Sequence, residues 1–386
     1  MHTVVKLKLE PTAQQQAALD TQLCSANAAA TQISHLAMKN QVFRAYDLRK
    51  LVYRDLRERG FGSQSAQHIV KKVADAYATK KANAKAGRYG PVGSVRRMRI
   101  EATAVTFRPY SSLAFDQRNL SWKKDQQLLG LFLQHERIRD ITYVGRDIDL
   151  QMLRNHPVKE CDLYRDRQGR WFLVATVVRD VPEVKDPVGM LGVDLGIVKI
   201  ATVADEQGSD LHDWSGGAVT SRRKKNAHLR KKLQSKGTRS ARRLLKKRSG
   251  RESRFVKDVN HQISKSIVNR AERTGRGIAV EKLTGIRERV RLRKPQRMMM
   301  HSWSFAQLGQ MIEYKAALKG VCFVQVDPRN TSRMCSSCGH IDKKSRKNQE
   351  TFVCTSCSYA LNADTNAAIN IARRGVDTRA QSIVHT

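Results

Sequence analysis

Four of the chain's seven cysteines lie within 23 residues, in two pairs of equal spacing. Cys335-Ser-Ser-Cys338 and Cys354-Thr-Ser-Cys357 are separated by fifteen residues. Each pair can turn both sulfurs to one side of a tight knuckle, and two knuckles can place four thiolates around one Zn²⁺. The intervening chain must then leave the first knuckle and return to it. Gly339 and the strand-like Thr351-Phe-Val353 suit such a zinc ribbon. Four thiolates leave no open coordination position, so this zinc is expected to be structural. Clustering of this kind points to metal rather than disulfides. The first residues, Met1 to Leu9, alternate like a strand and do not read as a signal peptide. Cys24, Cys161 and Cys322 sit in apolar or mixed contexts and are expected to be small core residues.

The 386 residues suffice for two or three domains, each with its own core. The formal net charge is +37, from 72 Lys and Arg against 35 Asp and Glu. Residues 1–187 carry 32 basic and 19 acidic residues, and residues 188–386 carry 40 and 16. Such an excess points to a polyanionic partner, most simply nucleic acid, with an anionic membrane surface as the rival. No run approaches the roughly 20 apolar residues of a membrane span.

Residues 3–9 read as a strand. Pro11-Thr-Ala-Gln then opens a helical pattern in which Thr12 can cap a run to about residue 39. A second pattern covers about Leu48 to Arg59 and ends at Gly60. A third follows Gly62, with Ala66, Ile69, Val70, Val73 and Ala76 at helical spacing. Lys71, Lys72, Lys80, Lys81 and Lys85 lie on its other face and end. Such a face is ordinarily just solvated, but in a chain this cationic phosphate contact competes. From about Val92 to Asp180 the runs are strand-like: Met98–Phe107, Leu113–Phe115, Leu129–Leu133, Ile141–Val144, Lys159–Tyr164 and Trp171–Val178. The last two form a hairpin around Arg167-Gln-Gly-Arg170. Val181 to Pro187 reads as a linker.

From Gly189 the pattern is α/β. Leu191 to Ala204 makes two short strands around a turn, with Asp194 interrupting the apolar run. A buried carboxylate is costly without a partner. Taken alone, Asp194 also reads as an ordinary strand-end or turn aspartate. Glu281 ends a second apolar strand, Gly277 to Glu281, and Asp364 opens an Ala- and Ile-rich helix. Two strands and a helix end are one way to bring three carboxylates around a pair of Mg²⁺ about 4 Å apart. A third strand is expected near Leu211–Trp214. Residues 222–254 hold 16 Lys or Arg and a single acid, Glu252. We read them as a nucleic-acid-facing helix pair, broken near Ser235-Lys-Gly237, with Arg222, Arg223, Lys224, Lys225, Arg230 and Lys231 as contacts. Phe255, Val259, Ile263, Ile267 and Ala271 form a core stripe on the next helix, where His261 reads as structural. A basic loop, Arg287 to Arg297, a helix near Ser304–Lys319 and a strand Val321–Val326 follow. Asp205, Asp258 and Asp327 read as structural acids.

Gly192-Val-Asp-Leu-Gly196, Val280-Glu-Lys-Leu283, Thr331-Ser-Arg-Met-Cys-Ser-Ser-Cys-Gly339 and Asp364-Thr-Asn-Ala-Ala-Ile-Asn370 resemble, in this order, motifs of TnpB proteins. These are transposon-encoded, RNA-guided nucleases that look ancestral to type V CRISPR effectors. The resemblance implies a multidomain α+β and α/β protein. Residues 1–187 would be a β-barrel wedge domain with a helical recognition insert at about 11–90. Residues 188–372 would be an RNase H-like (RuvC) domain with a zinc ribbon inserted at 331–360, and 373–386 a disordered tail. It implies a catalytic triad of Asp194, Glu281 and Asp364 holding two Mg²⁺. It also implies a guide RNA from the transposon end and a double-stranded DNA target with a short adjacent motif. By helix position Gln67 is the expected base contact, with Lys71 and Lys72 on phosphate. The expected setting is the prokaryotic cytoplasm, at the nucleoid, with no membrane. Three other readings stay open: a nuclease-independent RNA-guided binder or transposition regulator, a DNA transposase, and a compact type V CRISPR effector.

Overall fold

The computed structural model describes residues 1–134, 136–283 and 305–384. The basic loop Arg287–Arg297 lies outside the described residues. The chain divides into two units, Met1–Asp180 and Val181–Thr386.

The first unit opens with β1 (His2–Glu10), which buries Val5, Leu7 and Leu9 on one face. Helix α1 (Ala13–Asn40) starts at a reciprocal cap. Thr12 Oγ1 accepts from the Gln15 amide, and the Gln15 side chain accepts from the Thr12 amide. Helices α2 (Ala45–Glu58) and α3 (Ser63–Lys85) follow, then α4 (Val95–Ala102). The remaining elements are β2 (Leu113–Phe115), β3 (Leu120–Lys123), β4 (Leu128–Phe132), β5 (Arg137–Val144), α5 (Asp147–Asn155), β6 (Val158–Arg165) and β7 (Trp171–Val178). The strands form one nearly closed antiparallel sheet, ordered β2-β6-β7-β1-β5-β4-β3. The apolar stripe of α3, including Ala66, Ile69, Val70 and Val73, packs into the same core as the sheet.

The strand expected at Met98–Phe107 is not there. Its first part is α4, and the rest carries no regular structure. Val, Met and Ile in a short run suit either element. Neighbours decide: Arg97 pairs with Glu101 one turn on, at 2.8 Å. The Lys80 ammonium donates to the Glu101 and Thr103 carbonyls that end the helix, at 2.9 and 2.8 Å. Strand β3 and helix α5 were not expected. Arg146 fixes the start of α5 by a two-pronged contact with Asp149.

The second unit is built on a five-stranded sheet of β8 (Met190–Asp194), β9 (Lys199–Ala204), β10 (His212–Ser215), β11 (Gly277–Glu281) and β12 (Phe323–Val326), ordered β10-β9-β8-β11-β12. Strands β8, β11 and β12 run parallel; β9 lies antiparallel to β8, and β10 antiparallel to β9. Between β10 and β11 lie α6 (Gly217–Lys236), α7 (Arg239–Arg248) and α8 (Arg251–Thr274). Helix α9 (Phe305–Lys319) precedes β12. After β12 come a 3₁₀ turn at Lys343–Ser345, the hairpin β13 (Thr351–Val353) and β14 (Ala360–Asn362), and α10 (Ala363–Val384).

Strand β8 is buried on both faces, as parallel central strands are. Leu191 and Val193 pack with Ile263 and Ile267 of α8 and Leu308 and Ile312 of α9. On the other face Met190 and Ala279 pack with Ile371 of α10. At Gly192 the α10 backbone touches the sheet. A Cβ there would overlap the Ala368 carbonyl oxygen and the Ala372 amide nitrogen. Only glycine permits this approach.

The expected disordered tail from Arg373 is instead the continuation of α10 to Val384. Three arginines hold it down. Arg373 donates to the carbonyls of Glu206 and Ser336, Arg374 to those of Asp327 and Arg329, and Arg379 to Asp186 Oδ1 at 2.6 Å. These partners are distant in sequence, so no local pattern announces them.

The Gly192→Ala substitution is expected to cost about 3 kcal/mol, at the upper end of overpacking effects. A fall in the urea midpoint, with little change in slope, would show it. An unchanged midpoint would mean that α10 has room to move.

Candidate active site

Asp194 and Glu281 end β8 and β11, two adjacent parallel strands whose register pairs Val193 with Val280. The two acids therefore follow side by side, one strand spacing of about 4.8 Å apart. Both lie at the carboxyl ends of their strands, where open α/β sheets place their ligand sites. Asp364 enters from the first turn of α10. Its amide and that of Thr365 donate to Asn362 Oδ1 at 3.1 and 3.3 Å, so Asn362 caps the helix. Contact at Gly192 then sets Asp364 against the same strand ends.

Asp194 feels the other two carboxylates. Burial, then the charges of Glu281 and Asp364, push Asp194 up to about 8. Burial also raises Glu281 and Asp364. One cation recurs as the opposing influence on all three, Arg346. Its Nη2 lies 3.3 Å from Asp364 Oδ1. Thr331 Oγ1 donates to Glu281 Oε1. Neither Arg346 nor Thr331 was singled out by sequence as a partner of the acids. Both precede α10 in segments whose positions only the folded ribbon defines.

Such an arrangement suits divalent cations. Desolvated acids held toward the protonated form are relieved by added positive charge. They are not drawn into one tight cluster. Among the described residues, only the four cysteines form a group of three or more ligand-type side chains with all donor atoms within 4.8 Å.

In the ribbon, Cys335 and Cys357 sulfurs lie 3.7 Å apart and Cys338 and Cys354 sulfurs 3.6 Å apart. A tetrahedron of 2.3 Å Zn–S bonds has edges of about 3.8 Å, so the four thiolates fit one zinc. Amides of Ser356 and Cys357 donate to Cys354 Sγ at 3.4 Å and hold that thiol down, at about 6. Helix α10 grips the first knuckle. Asn366 and Asn370 both donate to the Met334 carbonyl, at 2.8 and 2.7 Å, and the Ser336 amide donates to Asn366 Oδ1 at 2.9 Å.

The predicted nucleic-acid contacts sit elsewhere. On α3, Gln67 is half-exposed beside a cavity of about 360 Å³ that also meets Arg118 and Arg137. Lys71 is exposed and pairs with Asp75 at 2.7 Å. Lys72 differs from its expected place on phosphate. Its ammonium donates to Asn27 Oδ1 at 2.5 Å and to the Ser112 carbonyl at 2.6 Å, and burial lowers it to about 8. On α6, Lys224, Lys225 and Lys231 are exposed, and exposed Arg222 lies over the Phe255 ring at 4.2 Å. Arg223 and Arg230 instead flank Glu252, at 3.7 and 3.6 Å. Asp205 is structural: it accepts from the Ser209 amide and pairs with Arg276. No helix among the described residues is long and apolar enough to cross a membrane.

Fold and site define a class: a mixed α/β protein with three neighbouring carboxylates and a four-cysteine group that could hold a metal. Residues 173–286 match the OrfB_IS605 family model, described as a probable transposase, and residues 305–371 match the Cas12f1-like TNB domain. A CRISPR-associated endodeoxyribonuclease Cas12f1 of Sulfoacidibacillus thermotolerans is 30% identical over 235 residues, 56% of this chain and 53% of the relative. A TnpB-like protein of Methanocaldococcus jannaschii is 35% identical over 155 residues, 40% of this chain and 55% of the relative. The chain thus spans about half the length of these relatives. A solved Cas12f1–sgRNA–target DNA complex shares the fold, with a TM-score of 0.61 at 15% identity over 93% of this chain and 83% of the other. The mini-RNA-guided endonuclease CRISPR-Cas_phi3 does so with a TM-score of 0.57 at 11% identity, over 97% and 92%. Two segments of the chain thus match family models of the IS605 OrfB and Cas12f1-like kind, and its relatives bear TnpB-like and Cas12f names.

Since Asp194 is raised above the usual carboxylate value of about 3.9, its contribution favours the metal-free fold below that pH and is lost as pH rises through about 8. Millimolar Mg²⁺ is therefore expected to raise the melting temperature at pH 8 by about 3 °C and to do little at pH 5. Asp194→Asn should raise the metal-free melting temperature at pH 8 and abolish most of the Mg²⁺ response. A scanning-fluorimetry series over pH and Mg²⁺ measures both. Cys354→Ser should remove one equivalent of bound zinc by elemental analysis.

Proposed function

We propose that the protein is an RNA-guided DNA endonuclease of the transposon-associated kind. It would use a guide RNA from the transposon end and cut double-stranded DNA next to a short duplex motif. The observation that carries this reading is the convergence of Asp194, Glu281 and Asp364, each with its carboxyl group biased toward protonation by burial. In this reading the second unit, within about 188–372, is an RNase H-like (RuvC) nuclease domain with the ribbon at 331–360 inserted. The first unit is the wedge domain with its recognition insert at about 11–90.

Asp194, Glu281 and Asp364 would hold two Mg²⁺, which supply an activated water and neutralise charge on the leaving oxygen of a phosphodiester. This chain's residues do the rest. Thr331 orients the Glu281 carboxylate, and Arg346 sits where its guanidinium can meet both carboxylate and a phosphate oxygen. The four-cysteine ribbon fixes the loop that carries Arg346, and Asn366 and Asn370 tie that ribbon to the helix that carries Asp364. Exposed Lys224, Lys225 and Lys231 offer backbone phosphates a positive track, while base pairing to a guide supplies sequence specificity. Gln67, which shares a cavity with Arg118 and Arg137, would read the duplex motif.

Sequencing RNA that copurifies with the protein tests the guide. A discrete structured species of transposon-end sequence is expected; random cellular RNA would leave only a basic nuclease. With a matched guide, Asp194→Ala should abolish cleavage, by at least about 10³-fold, while retaining target binding. Cleavage that persists in that variant would sink the triad assignment. Arg346→Ala should lower the cleavage rate with less effect on binding. Strand joining of a transposon end without RNA would favour a transposase instead.

A further inference from the structure

The basic helices of the second unit enclose a cavity of about 540 Å³ that the proposed carboxylate site and the ribbon do not use. Its floor is apolar: Leu229 and Leu233 from α6, Leu245 from α7 and Val256 from α8. Leu233 and Val256 are buried and the other two half-buried. Its rim is cationic, with Arg223, Arg230, Arg248 and Arg251 against the single acid Glu252.

Glu252 acts as an organiser. Its two oxygens lie 3.7 Å from Arg223 Nε and 3.6 Å from Arg230 Nη2. It also accepts from Asn226 Nδ2 at 3.4 Å, and Asn226 Oδ1 accepts from Arg248 at 3.2 Å. One carboxylate and one amide thus hold three guanidinium groups around the mouth, and the lining keeps a net positive charge. The first turn of α8, Arg251 to Ser253, completes the wall. Its cap, Gly250 at φ 77°, offers no side-chain acceptor. The end of a 24-residue helix therefore adds its partial positive charge to the arginines.

The two halves of the lining ask for one kind of ligand. A small inorganic anion has no use for a leucine floor. A purely apolar ligand would leave the net positive charge of the rim uncompensated. A flat, largely apolar ring system with a phosphate at one end satisfies both. We propose that this cavity receives one unpaired nucleotide of a nucleic-acid strand lying along the basic helices, its base on the leucine floor and its phosphate among the arginines. The inference rests on the nucleic-acid reading above. It adds a discrete anchor that fixes the strand's position along a track which charge alone would leave free to slide.

The test uses the full chain and short labelled hairpin duplexes, made as DNA and as RNA, in three forms: fully paired, with one unpaired adenosine, and with one unpaired abasic residue. Wild-type protein should bind the unpaired-adenosine form about tenfold more tightly than the other two. The version, DNA or RNA, that shows this preference identifies the strand. Leu245→Trp, which fills the cavity without changing charge, should erase the preference and leave the salt dependence intact. The double variant Arg230→Ala/Arg251→Ala should lower the slope of log affinity against log salt by about 2. Equal wild-type affinity for all three forms overturns the pocket while leaving the nucleic-acid reading standing. No binding of any form at low salt overturns both. Comparison of the three forms on wild-type protein keeps the test decisive even if a variant folds poorly.

Discussion

Backbone-to-backbone contact between α10 and β8 at Gly192 is the constraint on which the second unit depends. Helices usually stand about 10 Å from a sheet because side chains fill the gap. Here one glycine removes the gap, and the Ala368 to Ala372 turn of α10 lies directly on the central strand. Small residues on both sides make the approach possible: Ala279 in the neighbouring strand, and Ala367, Ala368, Ala372 and Gly375 in the helix. Two consequences follow. Asp364, one turn before the contact, is delivered to the strand ends that carry Asp194 and Glu281. Asn366 and Asn370, on the same helix, are delivered to the first cysteine knuckle.

Because one helix serves both places, ribbon and carboxylates are mechanically linked. Arg346 comes from the ribbon and Thr331 from the segment leading into it, yet both act on the acids. The ribbon has almost no core of its own: Cys335, Phe352, Cys354 and Ala363 are its buried apolar group. So small a cluster cannot hold a loop by hydrophobic burial, which is why such modules depend on a metal for folding free energy. Electrostatics runs the other way at the carboxylates. Desolvation raises all three acids, and Arg346, with Arg374 near Glu281 and Lys199 near Asp364, offsets it only in part.

Much of the local structure was legible, because its causes are local. Thr12 and Gln15 cap one another across three residues. Gly237 and Gly250, both at positive φ, end or begin the basic helices where the pattern breaks. The alternation of β1 and β7 shows directly as burial on one face. What failed did so for a shared reason. Helix α4 is decided by Lys80, and the continuation of α10 by carbonyls and acids from Asp186 to Ser336. Lys72 reads as a solvent-facing base on the helix periodicity, but Asn27 and Ser112 draw it inward. None of these partners is visible within the reach of a helical or strand period.

The amino-acid sequence by itself determined the thiolate set of the ribbon, the cationic character of the surface, and three acids at the ends of apolar segments. Each depends on residue type and short spacing, which covalent geometry converts into structure without long-range help. Tertiary structure alone decided that those acids are neighbours. Asp194 and Glu281 are joined by strand pairing across 87 residues, and Asp364 is joined to them by a glycine contact. It also decided which cations attend them, since Arg346 reaches the cluster only from a folded ribbon, and how the arginines of α6 to α8 gather around Glu252. Those relations come from packing, where loop closure and burial rather than spacing select the partner.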